Sequence, residues 1–596
     1  MSDFSIGIDL GTTNSALAFR SMDEEGAVAI APIAQLVNAN EVVAEPLLPS
    51  FLYMPAEREF PAGATALPWD TDAKNSAGKN IVGRFAQRRG AEVSGRLVSS
   101  AKSWLSYSAV DRAGALLPWK AAEGVARISP VDASAAYLRH LRMAWEHEHP
   151  DAPFADQEVL VTIPASFDAV SRELTEKAAQ AAGFGNVTLL EEPQAAFYAW
   201  IERHDDWRQR VGKGDLVLVV DIGGGTTDFT LIAVSEREGQ LQLDRVAVGD
   251  HILLGGDNID LALAHTVAAE LAARGTKIDS FQLQALWNNC RLAKEKLLDP
   301  ASPKKEAPVT ILGKGSSLIG GTIKATLRRE QLEQVLAAFL PEVAVTDFPQ
   351  KPRTAGLQEM GLPYASDAAI TRHLAKFLHQ GDSGFARPTH VLFNGGVLHA
   401  PFVRERLLSV LNGWLREVGA PEVQMLSGED LMHAVARGAA YYGAARHGKG
   451  VRIRGGIARS YYVGIESAMP AVPGIPAPVK AFSVAQFGME EGTSAKMPDR
   501  EFGLTVGDTA EFRFFSSATR KTDAPGTLIE DFGDELEELS PVAVRLESED
   551  PTGAVVPVSL ETVITETGML QLWCVSRGIP DQPGRRWKLE FNVREK

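Results

Sequence analysis

The sequence predicts an α/β fold over residues 1–446 and a small all-β unit over residues 460–596, joined by a linker at 447–459. Three observations carry that division. In the first part, apolar strand candidates alternate with amphipathic helical stretches. In the second, short strand candidates follow one another across Gly-, Pro- and Asp-rich turns with no helix of ten residues between them. Between the two stands "RHGKGVRIRGGIARS", basic and glycine-rich, with Arg452, Arg454 and Arg459.

The elements follow in order. Residues 4–9 form the first apolar run. Residues 159–163, ended by Pro164, repeat it, as do residues 216–220 and 390–393, each of which enters a glycine-containing turn. Asp168 is placed to cap a helix whose C′ stop is Gly183. Leu283, Leu286, Cys290, Ala293 and Leu297 recur at spacings of 3, 4, 3 and 4, one apolar helical stripe that puts Cys290 in a core. Further strands are expected at 461–465, 481–487, 510–515, 542–546, 555–564, 570–575 and 587–593, enough for a sandwich, with an acidic, solvated loop at 530–538.

Composition sets the outer limits. Of 596 residues, 45% are apolar and 23% charged, enough apolar surface to exclude a mainly disordered chain. The formal charge, 60 − 76 = −16, repels polyanions. The short basic cluster of Arg84, Arg88 and Arg89 reads as a solvated face. Two cysteines, Cys290 and Cys574, cannot build a disulfide framework. The opening "MSDF" lacks a basic region leading into an apolar one, and no run of 18 apolar residues occurs. The expectation is a reduced, cytoplasmic protein with no nucleic-acid or membrane partner.

The chemistry lies in a long-range repeat. "FSIGIDLGTTNSALAF" and "LVLVVDIGGGTTDFTLI" each read as an apolar strand, an Asp, a Gly/Thr turn and a second apolar strand. They predict two β-hairpins, with Asp9 and Asp221 at the strand ends. Gly11 and the run Gly223, Gly224 and Gly225 allow tight turns whose N–H groups can cradle phosphate oxygens. Thr12, Thr13, Thr226 and Thr227 add hydroxyls. Two carboxylates facing across phosphates suit a hydrated Mg²⁺. No G-x-x-x-x-G-K-[ST] segment is present and no G-x-G-x-x-G follows a strand, which excludes a Walker-type ATPase and argues against a dinucleotide enzyme.

These segments, together with "VLVTIPASFDAVSRELTEKAAQAAGF", "LLEEPQAAFYAW", "LGGDNID" and "VLFNGGVLHAPFVRERL", resemble in order and spacing the signatures of the seventy-kilodalton heat-shock chaperones. The resemblance covers most of residues 1–446 and implies an actin-like (ribonuclease-H-like) ATPase with two lobes around a nucleotide cleft. The later strands resemble that family's peptide-binding sandwich more loosely, best in "ETVITETGMLQLWCVS". It implies that ATP or ADP is held by Gly11, Thr12, Thr13 and Asn14 from one turn, and by Gly223, Gly224, Gly225, Thr226 and Thr227 from the other. Gly255 and Gly256 of "LGGDNID", Lys294, and Gly395, Gly396 and His399 of "NGGVLHAP" complete the pocket. Asp9 and Asp221 match carboxylates around Mg²⁺, and Asp228 matches one beside a bound K⁺. Lys102 matches a phosphate-binding lysine, Glu192 a carboxylate that positions the attacking water, and Thr12 and Thr226 hydroxyls near the γ-phosphate. Lys102, Glu192, Asp221 and Thr226 are thus the expected catalytic set. Pro164 and Arg172 match a pair that relays the nucleotide state.

The resemblance also has gaps. The family presents Glu, Lys, Arg and Ser at i, i+3, i+4 and i+7 of one helix; here the positions hold Arg291, Lys294, Glu295 and Leu298, and an Arg291–Glu295 pair is expected. Val397 and His399 replace a small polar residue and the guanidinium that stacks on adenine, so weaker adenine binding is expected, with His399 placed to stack instead. The linker is basic rather than apolar, and "FNVREK" ends in the last expected strand, without a counterpart of the helical lid. The function implied is a slow, lidless ATPase chaperone, its partners an unfolded or dedicated client polypeptide, a co-chaperone or an exchange factor. A nucleotide-dependent scaffold with one dedicated partner and an actin-fold small-molecule kinase are the alternatives.

Overall fold

The computed structural model describes residues 2–23, 26–71, 79–119, 121–237, 240–299, 304–312, 322–350, 361–379, 384–426, 428, 430–449, 457, 459–467, 478–490, 492–517, 520–530, 532–539, 541–546, 551–567, 569–577 and 584–592. Most of the basic linker, Arg452 and Arg454 included, lies outside them, as do residues 593–596. The chain forms two compact units: Met1–Val234 with Arg245–Arg452, and Ser235–Asp244 with Ile453–Lys596.

The first unit is built twice from one plan. Phe4–Leu10 pairs antiparallel with Asn14–Ser21, then parallel with Glu158–Ile163, which pairs parallel with Thr188–Glu191. Leu216–Ile222 pairs antiparallel with Thr227–Arg237, then parallel with His390–Asn394, which pairs parallel with Gln424–Leu426. In both sheets a helix crosses between the last two parallel strands: Ala169–Ala181 in the first, Pro401–Glu417 in the second. Parallel neighbours need such a crossover, and the helix covers the sheet face it leaves behind. The repeat visible in two short hairpins therefore extends through the whole topology of each lobe.

Local chemistry fixes the ends of these elements. Asp168 caps its helix by accepting from Ser171 N–H at 2.7 Å, and Gly183 takes φ +85° just past the end, a left-handed conformation that glycine adopts without strain. The stripe on Ser280–Leu298 is buried as its spacing predicts, with Leu286, Cys290, Ala293 and Leu297 in the core of the second lobe. Arg84, Arg88 and Arg89 lie on Arg84–Glu92, their guanidiniums on Glu45, the Val37 carbonyl and Glu59.

His140, on Pro130–Glu148, is buried in the first lobe, with Nε2 at 2.9 Å from the Ala34 carbonyl and Trp69 edge-on at 5.2 Å. Burial pushes its pKa down to about 4. The unfolded chain then binds the extra proton first, near pH 6.5, so stability is complete above that pH and falls as pH drops from 6.5 to about 4. The loss is about 3 kcal/mol. Urea midpoints across that window should fall steeply for the wild type and less for His140→Gln; parallel curves would contradict the assignment.

In the second unit the described residues form strands with no α-helix. A five-stranded sheet (Ser460–Glu466 at its centre) and a four-stranded one (Thr493–Val506, Ala554–Ile564, Met569–Ser576, Arg586–Asn592) share one apolar core that includes Val463, Phe482, Leu504, Leu560 and Leu589. Two expectations change. The strand expected at 510–515 is two strands, Thr509–Phe512 and Phe514–Ser517, which pair in different sheets. The strand Thr493–Val506 was not foreseen. Its interior, "KMPDRE", carries charges and a proline, and it follows Ala554–Ile564 only through a register shift between Met497 and Phe502.

Candidate functional site

Each copy of the plan ends its central strand in an aspartate followed by a glycine turn, and the two turns meet. Gly11 sits where a Cβ would come 2.1 Å from the Asn14 carbonyl oxygen. Gly223 N–H donates to the Thr226 carbonyl at 2.9 Å, closing the second turn. A Cβ on Gly224 would fall 1.8 Å from Thr13 Oγ1, and one on Gly225 would fall 2.8 Å from Thr12 Cγ2. Only glycine permits this approach between the lobes. Gly256 and Asp257 donate their N–H groups to the Gly223 and Gly224 carbonyls at 3.0 and 2.7 Å, docking the start of Gly256–Ala273 on the second turn. A Cβ on Gly255 would fall 2.7 Å from the Gly223 oxygen.

The turns line a cleft of about 280 Å³, reached by Gly11, Thr12, Thr13, Asn14, Gly223, Gly224 and Thr226. Asp9, Lys102, Glu192 and Asp221 form its floor. Lys102 stands on Ala101–Ser106, and its buried ammonium is hydrogen-bonded to Glu192 Oε1. Burial presses the lysine pKa down, but the Glu192 and Asp9 carboxylates outweigh it and keep the ammonium charged. Burial pushes Asp9 up to about 7, with Glu192 adding to the rise and Lys102 opposing it. Asp221 is raised well above the usual carboxylate range by burial and by the charges of Glu192 and Asp228, although Asn394 Nδ2 donates to it at 2.5 Å. Three carboxylates thus face one ammonium, and Asn394 Oδ1 is buried without a partner. That surplus of buried oxygen fits a hydrated divalent cation.

The same cleft is lined by Arg291, Lys294, Glu295 and Leu298 of one helix, by Leu336, Val397, His399 and Ala400, and by Gly395 and Gly396. Gly395 has φ +91° and would bring a Cβ within 2.6 Å of Asp221 Oδ1. The expected Arg291–Glu295 pair gives way to tertiary partners. Arg291 bonds Asp257 at 2.5 Å and Asp260 at 3.0 Å, and Lys294 pairs with Asp260 at 2.8 Å. Asp260 is only 1% exposed, so a buried carboxylate outcompetes one four residues away on the same helix.

Four of the expected residues, Gly225, Gly255, Thr227 and Asp228, do not line this cleft. Thr227 Oγ1, fully buried, donates to the Leu254 carbonyl at 2.7 Å and is not offered to the cleft. Asp228 lies behind the floor, in a small cavity it shares with Pro164, Ser166, Glu192 and Asp221. Arg172 donates to the Phe167 and Ala165 carbonyls and to Glu191, which Arg245 joins at 2.7 Å. Residues the sequence reading passed over include Asp257 and Asp260, present in the quoted "LGGDNID", Asn394, and Leu431, Met432 and Val435, all of which line the cleft.

The Hsp70 protein family matches residues 5–347. A chaperone protein HscA homolog of Bordetella pertussis is 31% identical over 340 residues, 55% of this chain and 46% of that protein. Another, of Acinetobacter baylyi, is 30% identical over 305 residues, 50% of this chain and 42% of that protein. The chain thus spans less than half the length of the curated relatives it matches.

Proposed function

The chain belongs to the Hsp70 family, and from that premise we propose that it is an ATP-binding, slowly hydrolysing chaperone whose second unit holds client polypeptide. The observation that carries the reading is the meeting of two glycine turns over a floor of Asp9, Lys102, Glu192 and Asp221. The turns' backbone N–H groups and the Thr12, Thr13 and Thr226 hydroxyls hold the phosphates. Asp9 and Asp221 would hold the water shell of Mg²⁺, which neutralises phosphate charge when bound. Glu192, fixed by Lys102, orients the attacking water. Lys102 stabilises the charge that spreads over the transferring phosphoryl oxygens, so catalysis is positioning plus electrostatics.

ATP turnover of the wild type and Asp9→Asn, each with and without an unfolded polypeptide, tests this. Stimulation of the wild type and near-silence of the variant are expected. Indifference to polypeptide would favour a scaffold with one dedicated partner, and turnover only with an added hydroxyl acceptor would favour a kinase.

Adenine binding should be weak. Asp257 and Asp260 hold Arg291, and His399 stands where a stacking guanidinium is expected. A lost cation–π contact of ~0.5–2 kcal/mol makes ATP binding about two- to thirtyfold weaker than in a pocket that keeps the guanidinium. Calorimetry checks this, and tight, strictly adenine-selective binding would refute it.

A further inference from the structure

The family resemblance implies a potassium ion beside Asp228, and the groups around that carboxylate do not fit one. Ser166 Oγ donates to Asp228 Oδ1 at 2.6 Å, and His251 Nδ1 donates to the same oxygen at 3.0 Å. Ser166 Oγ also lies 3.0 Å from His251 Nδ1, so the three side chains close on one another. The imidazole is held edge-on by Phe167 at 5.8 Å. The neighbouring cavity is small, about 10 Å³. A hard cation needs several free oxygen donors around it, but here a hydroxyl and a ring nitrogen already occupy Asp228 Oδ1. Burial works against charge on the imidazole, yet the Asp228 carboxylate raises its pKa, and His251 in turn lowers that of Asp228. The contact also joins the two lobes. Ser166 follows the first lobe's strand Glu158–Ile163, whereas Asp228 and His251 belong to the second lobe.

We infer that the His251 side chain takes the place of a monovalent cation in this chain, pinning Asp228 to Ser166 so that the site works without K⁺. His251 is a positioning residue: its ring nitrogen bonds Ser166 and Asp228, and it acts through Asp228, which lies across the strand pair from Asp221. The inference rests on the ATPase reading for its kinetic form but not for its binding form. Removing the ring opens space at an uncompensated carboxylate, where K⁺ can enter.

The experiment compares KCl, NaCl and choline chloride at equal ionic strength for the full-length wild type, His251→Ala and His251→Gln. Thermal midpoints are read without nucleotide and turnover with MgATP. The wild type should show one midpoint and one rate, within about twofold, in all three salts. His251→Ala should gain a KCl-specific rise in midpoint, because an ion that binds only the folded form stabilises it, and a KCl-specific recovery of turnover. His251→Gln replaces the ring by an amide that can turn its oxygen toward a K⁺ and covers the case in which the alanine variant fails to fold; its midpoint should also rise in KCl. A wild type several-fold faster or markedly more stable in KCl than in choline chloride overturns the inference, as do folded variants blind to K⁺. A wild type without turnover would count against the ATPase reading alone, because the midpoints still report on the ion.

Discussion

Lys102→Ala is expected to lower the rate of ATP hydrolysis about 100- to 1,000-fold while leaving a folded protein that still binds nucleotide. The magnitude is that of removing one preorganised group from a developing charge, ~3–4 kcal/mol. Lys102 is the ammonium that faces Asp9, Glu192 and Asp221, and its bond to Glu192 fixes the carboxylate as well as supplying charge. Without it, three buried carboxylates repel one another and Glu192 loses the partner that aims it. Arginine should not restore the rate, because its wider planar fork cannot take the place of a compact ammonium in a buried site. Single-turnover hydrolysis alongside calorimetric binding separates the two effects. A variant within tenfold of the wild type would remove Lys102 from the chemistry.

Asp260→Asn should produce the largest change in stability, a loss of about 3–5 kcal/mol. The asparagine keeps the shape and removes the charge that Arg291 and Lys294 share at 3.0 and 2.8 Å. Asp257 still holds Arg291, so the uncompensated cation is Lys294, itself 8% exposed. Urea unfolding followed by tryptophan fluorescence should show a lower midpoint with an unchanged slope. A midpoint equal to that of the wild type would show that solvent, not Asp260, satisfies the lysine.

The two hairpins were legible because each writes its function locally, as an apolar strand, an Asp and a glycine turn within a dozen residues. Their parallel neighbours were legible as apolar runs, being buried on both faces. What escaped was settled by partners distant in sequence. Arg291 reads as half of a helical pair until Asp257 and Asp260 are brought beneath it, more than thirty residues away. Thr227 repeats Thr13 in the motif, yet its hydroxyl turns to Leu254. No spacing rule joins Ser166, Asp228 and His251, which meet only because the lobes close on each other. Thr493–Val506 stayed hidden because its bulged middle breaks the alternation by which a strand is recognised.

The glycine seams beneath Ala434–Arg446 bear on how such a chain is made. Gly7 would bring a Cβ within 2.2 Å of the Ala436 oxygen, Gly438 one within 1.7 Å of the Ala195 oxygen, and Gly443 one within 2.2 Å of Ser5 Oγ. The first strand and the last helix of this unit are therefore fitted backbone to backbone, although nearly all of the unit's sequence separates them. At ~5–20 residues per second, a ribosome makes the cover on the order of a minute after the strand it covers. Until then one side of the N-terminal sheet is bare, so during its own synthesis this chain exposes the kind of sticky surface that, on the reading above, it exists to attend in others.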